Sequence, residues 1–368
     1  MDTTATRIAA GAPPTLGPTG MAQQDLFVSD TDGYHTYRIP ALIVAADGTL
    51  LAFCEGRRDS RNDSGQIDLL LRASHDNGRT WEPQRIVVTE PGMTCDNPCP
   101  VLDRTTGVLW LPFCKNLADG PEQLITQGKA PRTVWLTHSL NHGVTWAEPL
   151  EITPAVKRPT WTWYATGPGH GIQLGDGRLI IPCDHREGLR RDESDPLHAH
   201  VIYSDDHGST WQIGGEVASG SNECCIVEAS GGGLYINCRD YNGHGCRAYS
   251  WSNDRGKTFF GYWWDETLRE PVCQASLERC ALPDGKWGYL FANPASSKRR
   301  RLTVRLSLDQ CRTWGVSRLL NDGPSAYSDL AVSPDGTICC LYERGDADAY
   351  ERITLARFGL DWLGYRPA

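Results

Sequence analysis

SHDNGRTW (74–81) returns four times along the chain, as SLNHGVTW (139–146), SDDHGSTW (204–211), SNDRGKTF (252–259) and SLDQCRTW (307–314). The Asp or Asn at its third position can accept backbone N–H bonds, the Gly supplies a positive φ, and the final aromatic can pack between strands. Each copy therefore reads as a structural hairpin turn rather than a reactive site. The copies start 48 to 65 residues apart, longer than helical repeats and close to the length of a four-stranded unit with its loops.

Between the turns lie short runs such as LLAFCEG, VLWLPFC, RLIIPCD, GLYINCRD, WGYLFAN and TICCLYE. They have strand length and lack helical periodicity, so the class is all-β. Radial repetition of such units predicts a β-propeller with four antiparallel strands per blade. At roughly 50 to 60 residues per blade, the chain length gives six blades. One propeller domain is expected over 26–368, preceded by a flexible Gly/Pro/Thr tail over 1–25. Two turns depart from the pattern: Asn141 stands for Asp, which preserves the acceptor, and Cys311 stands for Gly. A non-glycine residue at positive φ costs about 1 kcal/mol, so the fifth turn is expected to differ in shape.

Composition excludes several functions. The formal net charge is −9, which disfavours a nucleic-acid partner. No run of about 18 apolar residues predicts a membrane span. The first residues lack the charged and apolar regions of a signal peptide, so a cytoplasmic location is expected. The 14 cysteines include no C-x-x-C, and Cys95 and Cys99 have no histidine at zinc-finger spacing, so reduced, structural thiols are expected. His198 and His200 share one face of a predicted strand but lack a third ligand. No metal or cofactor is expected, and the sequence carries no signal of oligomeric state.

YHTYRIPALIV places Arg38 at the head of a strand, before Ile39 and Pro40. Together with the recurrent S-x-D-x-G-x-T-W turns, the R-I-P motif resembles the sialidase (neuraminidase) family, and the likeness runs from about Tyr37 to Glu343. It implies an exo-α-sialidase that removes terminal sialic acids from glycoconjugates with retention, through a tyrosyl-enzyme intermediate. Three arginines would bind the sialic acid carboxylate, where a planar guanidinium can bond both oxygens. Arg38 matches the first. NECCIVEASGGGLYINCRDY supplies Glu223 and, as the second, Arg239; Glu228 rivals Glu223. The third lies in SSKRRRLTV: family register points to Arg299, and strand parity puts Arg299 and Arg301 on one face and Arg300 on the other.

The same resemblance assigns Tyr327 of PSAYSDL as nucleophile, Glu223 as the base that takes its proton, and Asp63 as acid/base, with Asp59 and Asp68 as alternatives. A neutral phenol suits an anomeric carbon that carries a carboxylate, because an anionic nucleophile would be repelled. Arg57 resembles a further pocket arginine, with Arg58 as its alternative, and Glu343 a carboxylate that buttresses Arg38. CDNPCPV places Asp96 or Asn97 where the family has an Asp-Pro that contacts the sugar hydroxyls, and here Asn97 precedes the proline. Trp163, Tyr164 and His170 of WTWYATGPGHG are further pocket candidates. Transfer to an acceptor sugar, an internal anhydro product, or a sialic-acid-binding propeller without turnover are the alternative functions.

Overall fold

The computed structural model describes residues 20–189 and 196–367. The chain is all-β: among the described residues the helices are single turns at Glu122–Thr126, Thr153–Val156 and Leu360–Leu363. The central strands are continuous apolar runs because both of their faces are covered. All eight residues of Leu50–Arg57 are buried, for example, between the side-chain clusters of Leu42, Leu50 and Leu70 on one side and Leu51, Phe53 and Leu69 on the other.

Antiparallel meanders follow one another along the chain. Ser221–Glu228, Leu234–Asp240, Cys246–Ser252 and Phe260–Arg269 form a separate four-stranded sheet. Trp161–Thr166, Ile172–Gln173, Leu179–Glu187, Leu197–Ser204 and Gln212–Glu216 form a separate five-stranded sheet, and the remaining units are joined. The 17-residue strand Val316–Val332 pairs with Arg300–Ser307 through its first half and with Ile338–Arg344 through its second, which makes one seven-stranded sheet. A parallel bridge from Ile67 to Thr94 links two further meanders into a nine-stranded sheet.

The chain closes on itself. Met21–Val28 pairs antiparallel with Arg352–Phe358, from Met21 opposite Phe358 to Val28 opposite Arg352. This corrects the predicted tail: residues 21–25 belong to a strand, because their backbone groups complete the edge of the last meander, whereas 1–19 lie outside the described residues. All 14 cysteines are buried free thiols.

The repeated turns are hydrogen-bonded alike. In the first, Ser74 Oγ accepts from Gly78 N at 2.9 Å, Asp76 Oδ1 accepts from Thr80 N at 2.8 Å, and Thr80 Oγ1 donates to Asp76 Oδ2 at 2.6 Å. The fifth turn corrects our expectation of a different shape. Cys311 takes φ 64° and keeps the bond from its N–H to Ser307 Oγ at 2.9 Å. The conformational cost is accepted because the Cys311 side chain is buried against Cys225, Tyr235 and Phe291. At Gly208, by contrast, φ is +88° and a Cβ would collide with the Trp110 indole. Gly208→Ala is therefore expected to destabilise the fold by roughly 2–4 kcal/mol, from left-handed strain plus overpacking, and Cys311→Gly by far less. Denaturant midpoints of the two variants provide the comparison.

Candidate active site

Arg38 lies where the strand Thr36–Val44 changes register. Ile39, which precedes proline, adopts φ 57°, a conformation that β-branched residues rarely take. The distortion is held by Glu343, whose side chain is fully buried. Its Oε1 accepts from Arg38 Nε at 2.7 Å and Ile39 N at 2.9 Å, and its Oε2 accepts from Tyr327 N at 3.0 Å. One carboxylate thus ties the first arginine to the backbone of Tyr327, residues 289 positions apart.

Tyr327 donates its phenolic hydrogen to Glu223 Oε1 at 2.5 Å and accepts from Arg239 Nη1 at 3.1 Å. Burial, then the Glu223 carboxylate, hold its pKa well above that of an ordinary tyrosine, against the pull of Arg239 and Arg299. The resting phenol is neutral, with its proton aimed at Glu223. Glu223 also accepts from Arg239 Nη1 at 2.8 Å, and Arg239 Nη2 donates to Tyr241 at 2.7 Å.

The basic run resolves into one inward and two outward arginines. Arg299 donates to Tyr350 Oη at 2.6 Å, and its guanidinium lies 5.4 Å from the Tyr327 ring centre. Arg300 and Arg301 are exposed and turn to Asp322. Strand parity fails for Arg301 because the regular strand begins only at Arg300 and breaks register at once, with Arg301 at φ 63°.

Arg57, Asp63 and Asn97 meet the same cavity. Arg57 is clamped by Glu55 Oε2, at 3.0 Å to Nε and 2.7 Å to Nη2, and reaches Asp63 at 2.8 Å. Asp63 also lies 3.7 Å from Arg38 Nη1, yet its side chain is 73% exposed. Desolvation works to raise its pKa, but Arg57 and Arg38 outweigh this and hold the carboxyl below the usual range. Asn97 sits at φ 54°; its N–H donates to Glu55 Oε1 at 3.0 Å and its Oδ1 accepts from Arg132 at 2.8 Å. These residues, with Glu223, Tyr327 and the arginines, surround a space of about 380 Å³, within the range of small-ligand sites.

The alternatives go elsewhere. Asp68 is buried and accepts from Tyr34 at 2.7 Å and Arg58 at 2.5 Å. Glu228 bonds Gly175 N and Arg279. Of the aromatic candidates, Trp163 lines the cavity, whereas Tyr164 is buried core and donates to Cys183 Sγ. His170 is misplaced by sequence reading: it bonds Asp329 at 2.9 Å and faces a different cavity, shared with Glu228 and Glu278. His198 bonds Val217 O and His200 pairs with His185 at 3.0 Å; burial lowers the His200 pKa to about 3, so the ring is neutral.

Several pocket residues escaped sequence reading. Glu55 was legible, since it stands two positions from Arg57 and shares its strand face. Asp96, the sequence alternative to Asn97, lines the cavity, whereas Asp184, Tyr241 and, beside the cavity, Tyr350 carried no signal, because fold contacts alone bring them to the arginines. Asp96 is held by Arg132 at 2.9 Å, but burial raises its pKa to about 7. Asp184 accepts from Asn222 at 2.8 Å, and burial pushes it well above the carboxylate range.

The chain is similar to known proteins over most of its length. Residues 48–340 match the BNR repeat-like domain family. The chain is 34% identical to a sialidase of Micromonospora viridifaciens over 96% of its own length and 56% of that protein's, so it spans little more than half of that relative. It is 32% identical to mouse Sialidase-3, covering 90% of this chain and 93% of that one. Among solved structures, the Hadza microbial sialidase Hz136 superposes with TM-score 0.84 at 32% identity, over 92% of this chain and 68% of the other. An intramolecular trans-sialidase of Ruminococcus gnavus, at 19% identity and TM-score 0.77 over 98% of this chain and all of its own, shares the fold. The chain belongs to the sialidase family of glycoside hydrolases.

Proposed function

We propose that the protein is a retaining exo-α-sialidase built on a six-bladed β-propeller, hydrolysing terminal sialic acids of glycoconjugates through a Tyr327-bound intermediate. The observation that carries this reading is the 2.5 Å hydrogen bond from the Tyr327 phenol to Glu223 beside Arg38, Arg239 and Arg299. The six blades rest on the grouping of antiparallel meanders and on closure of the first strand onto the last.

The substrate carboxylate lies among Arg38, Arg239 and Arg299, which sets the anomeric carbon above Tyr327. Glu223 takes the phenolic proton as the oxygen attacks, so little phenolate has to form in advance. Asp63 donates a proton to the leaving oxygen, then takes one from the water that releases the sugar. In the empty site Asp63 is ionised because Arg57 and Arg38 face it. The bound carboxylate neutralises part of that positive field, and the sugar displaces water from the exposed acid; both raise its affinity for a proton. The alkaline limb of kcat is therefore expected at higher pH than the Asp63 pKa of the free enzyme, measured by NMR titration. Equal values would remove this account of the acid.

Asp63→Asn is expected to lower kcat on sialyllactose by about 10²–10⁴-fold, the usual worth of a positioned acid. An aryl sialoside, whose leaving group needs no proton, should lose much less. Equal losses on both substrates would place Asp63 outside proton transfer. For the whole reaction, proton NMR of sialyllactose turnover is expected to show α-sialic acid first. Initial β-sialic acid would rule out retention, and anhydro or transfer products would rule out simple hydrolysis.

A further inference from the structure

The outermost strand Phe260–Arg269 shows water a row of aromatic residues: Phe260 is 48% exposed, Trp263 44% and Trp264 37%. Trp264 stacks on His244 with ring centres 3.9 Å apart. Phe260 and Trp263 instead open onto a groove of about 590 Å³, shared with Tyr249 and Trp251 of the neighbouring strand Cys246–Ser252. This groove is separate from the catalytic cavity, with which it has no lining residue in common.

The groove is built rather than incidental. The Trp263 indole lies against the backbone of Gly261, in the space that a Cβ would occupy, and Gly261 takes φ +69°. Tyr249 braces the same indole, with ring centres 5.7 Å apart and planes tilted by 36°. A large ring is thus fixed in place while much of it stays exposed. Around it stand Asn253, Gln310 and Arg312, whose side chains have no hydrogen-bond or ion-pair partner among the described residues. Fixed aromatic faces beside uncommitted donors and acceptors match a pyranose, which has C–H groups on one face and hydroxyls around its rim.

We propose that this groove is a second, non-catalytic carbohydrate site that takes neutral pyranose units of a glycan, with Trp263 as its stacking platform. It would hold a glycan chain on the outer wall of the protein and raise the local concentration of chain ends at the catalytic cavity. The proposal rests on the groove and not on the catalytic roles assigned above, and lactose, which contains no sialic acid, tests it separately.

Saturation-transfer NMR is expected to detect millimolar lactose binding to the full chain. Trp263→Ala and, independently, Phe260→Ala should each weaken it about tenfold or more, the scale of losing an aromatic anchor. Asn253→Ala and Arg312→Ala should weaken it by smaller factors. All four variants should keep the thermal midpoint and the kcat for a small aryl sialoside, because none of these side chains lines the catalytic cavity. Absence of lactose binding, or binding that survives both Trp263→Ala and Phe260→Ala, would overturn the proposal. So would concentration-dependent self-association lost in Trp263→Ala without lactose binding, which would make the groove a protein interface.

Discussion

Tyr327→Phe is expected to lower kcat on every sialoside by about three orders of magnitude or more, since a nucleophile and its base act as one unit. The lost atom is the only one removed, and its neighbours remain. Glu343 still bonds the backbone N–H of residue 327, so Arg38 keeps its position. Glu223 still pairs with Arg239 at 2.8 Å. Binding of a non-hydrolysable sialic acid analogue should therefore change little while turnover collapses. Retained turnover of an aryl sialoside would refute the nucleophile. An equal loss of analogue binding would instead mean that the phenol mainly holds Arg239 in place. Glu223→Gln supplies the complement: a neutral amide cannot take the phenolic proton, and burial keeps the tyrosine protonated.

Glu343→Ala should produce the largest loss of stability, about 3–5 kcal/mol, the cost of leaving a buried charge without its partner. The substitution strands four donors at once: Arg38 Nε and Nη2 and the N–H groups of Ile39 and Tyr327. Arg38 is 6% exposed, so water cannot readily replace the carboxylate. The left-handed conformation of Ile39 also loses the bond that holds it. A chemical denaturation midpoint measures the effect. A shift equivalent to less than about 1 kcal/mol, the size of an ordinary substitution, would mean that the arginines are positioned without Glu343. In the surviving folded fraction, KM should rise because the first carboxylate-binding arginine is no longer oriented.

Local chemistry explains which elements were legible. The octapeptide turns were readable because each completes its hydrogen bonds within eight residues, as Ser74, Asp76, Gly78 and Thr80 do. The strands were readable as apolar runs because burial on both faces leaves no polar alternation. The same logic failed at Cys311, where the turn's geometry survives loss of glycine because a buried wall accommodates the thiol. It failed at 21–25 as well, because a terminal strand is stabilised by Arg352–Phe358, more than 300 residues away.

The catalytic site divides in the same way. Arg38, Glu223, Arg239, Tyr327 and Glu343 stand in recognisable short motifs, and the structure brings all five together. Family register already pointed to Arg299, which meets the cavity; that Arg301 turns away depended on a register break and a positive φ, which no alternation rule anticipates. Asp63 could be named from its motif, but its ionised state comes from Arg57 and Arg38. Asp184, Tyr241 and Tyr350 are invisible in sequence because their environment is made by other strands. His170 shows the reverse error: a plausible motif neighbour was delivered to another cavity by its bond to Asp329. From sequence alone came the all-β class, the repeated turns and the residues proposed to react, since each depends on contacts a few residues long or on a short motif. The tertiary structure alone decided that Arg301 turns away from the cavity and which protons sit where, because both depend on fields and packing between strands far apart in the chain.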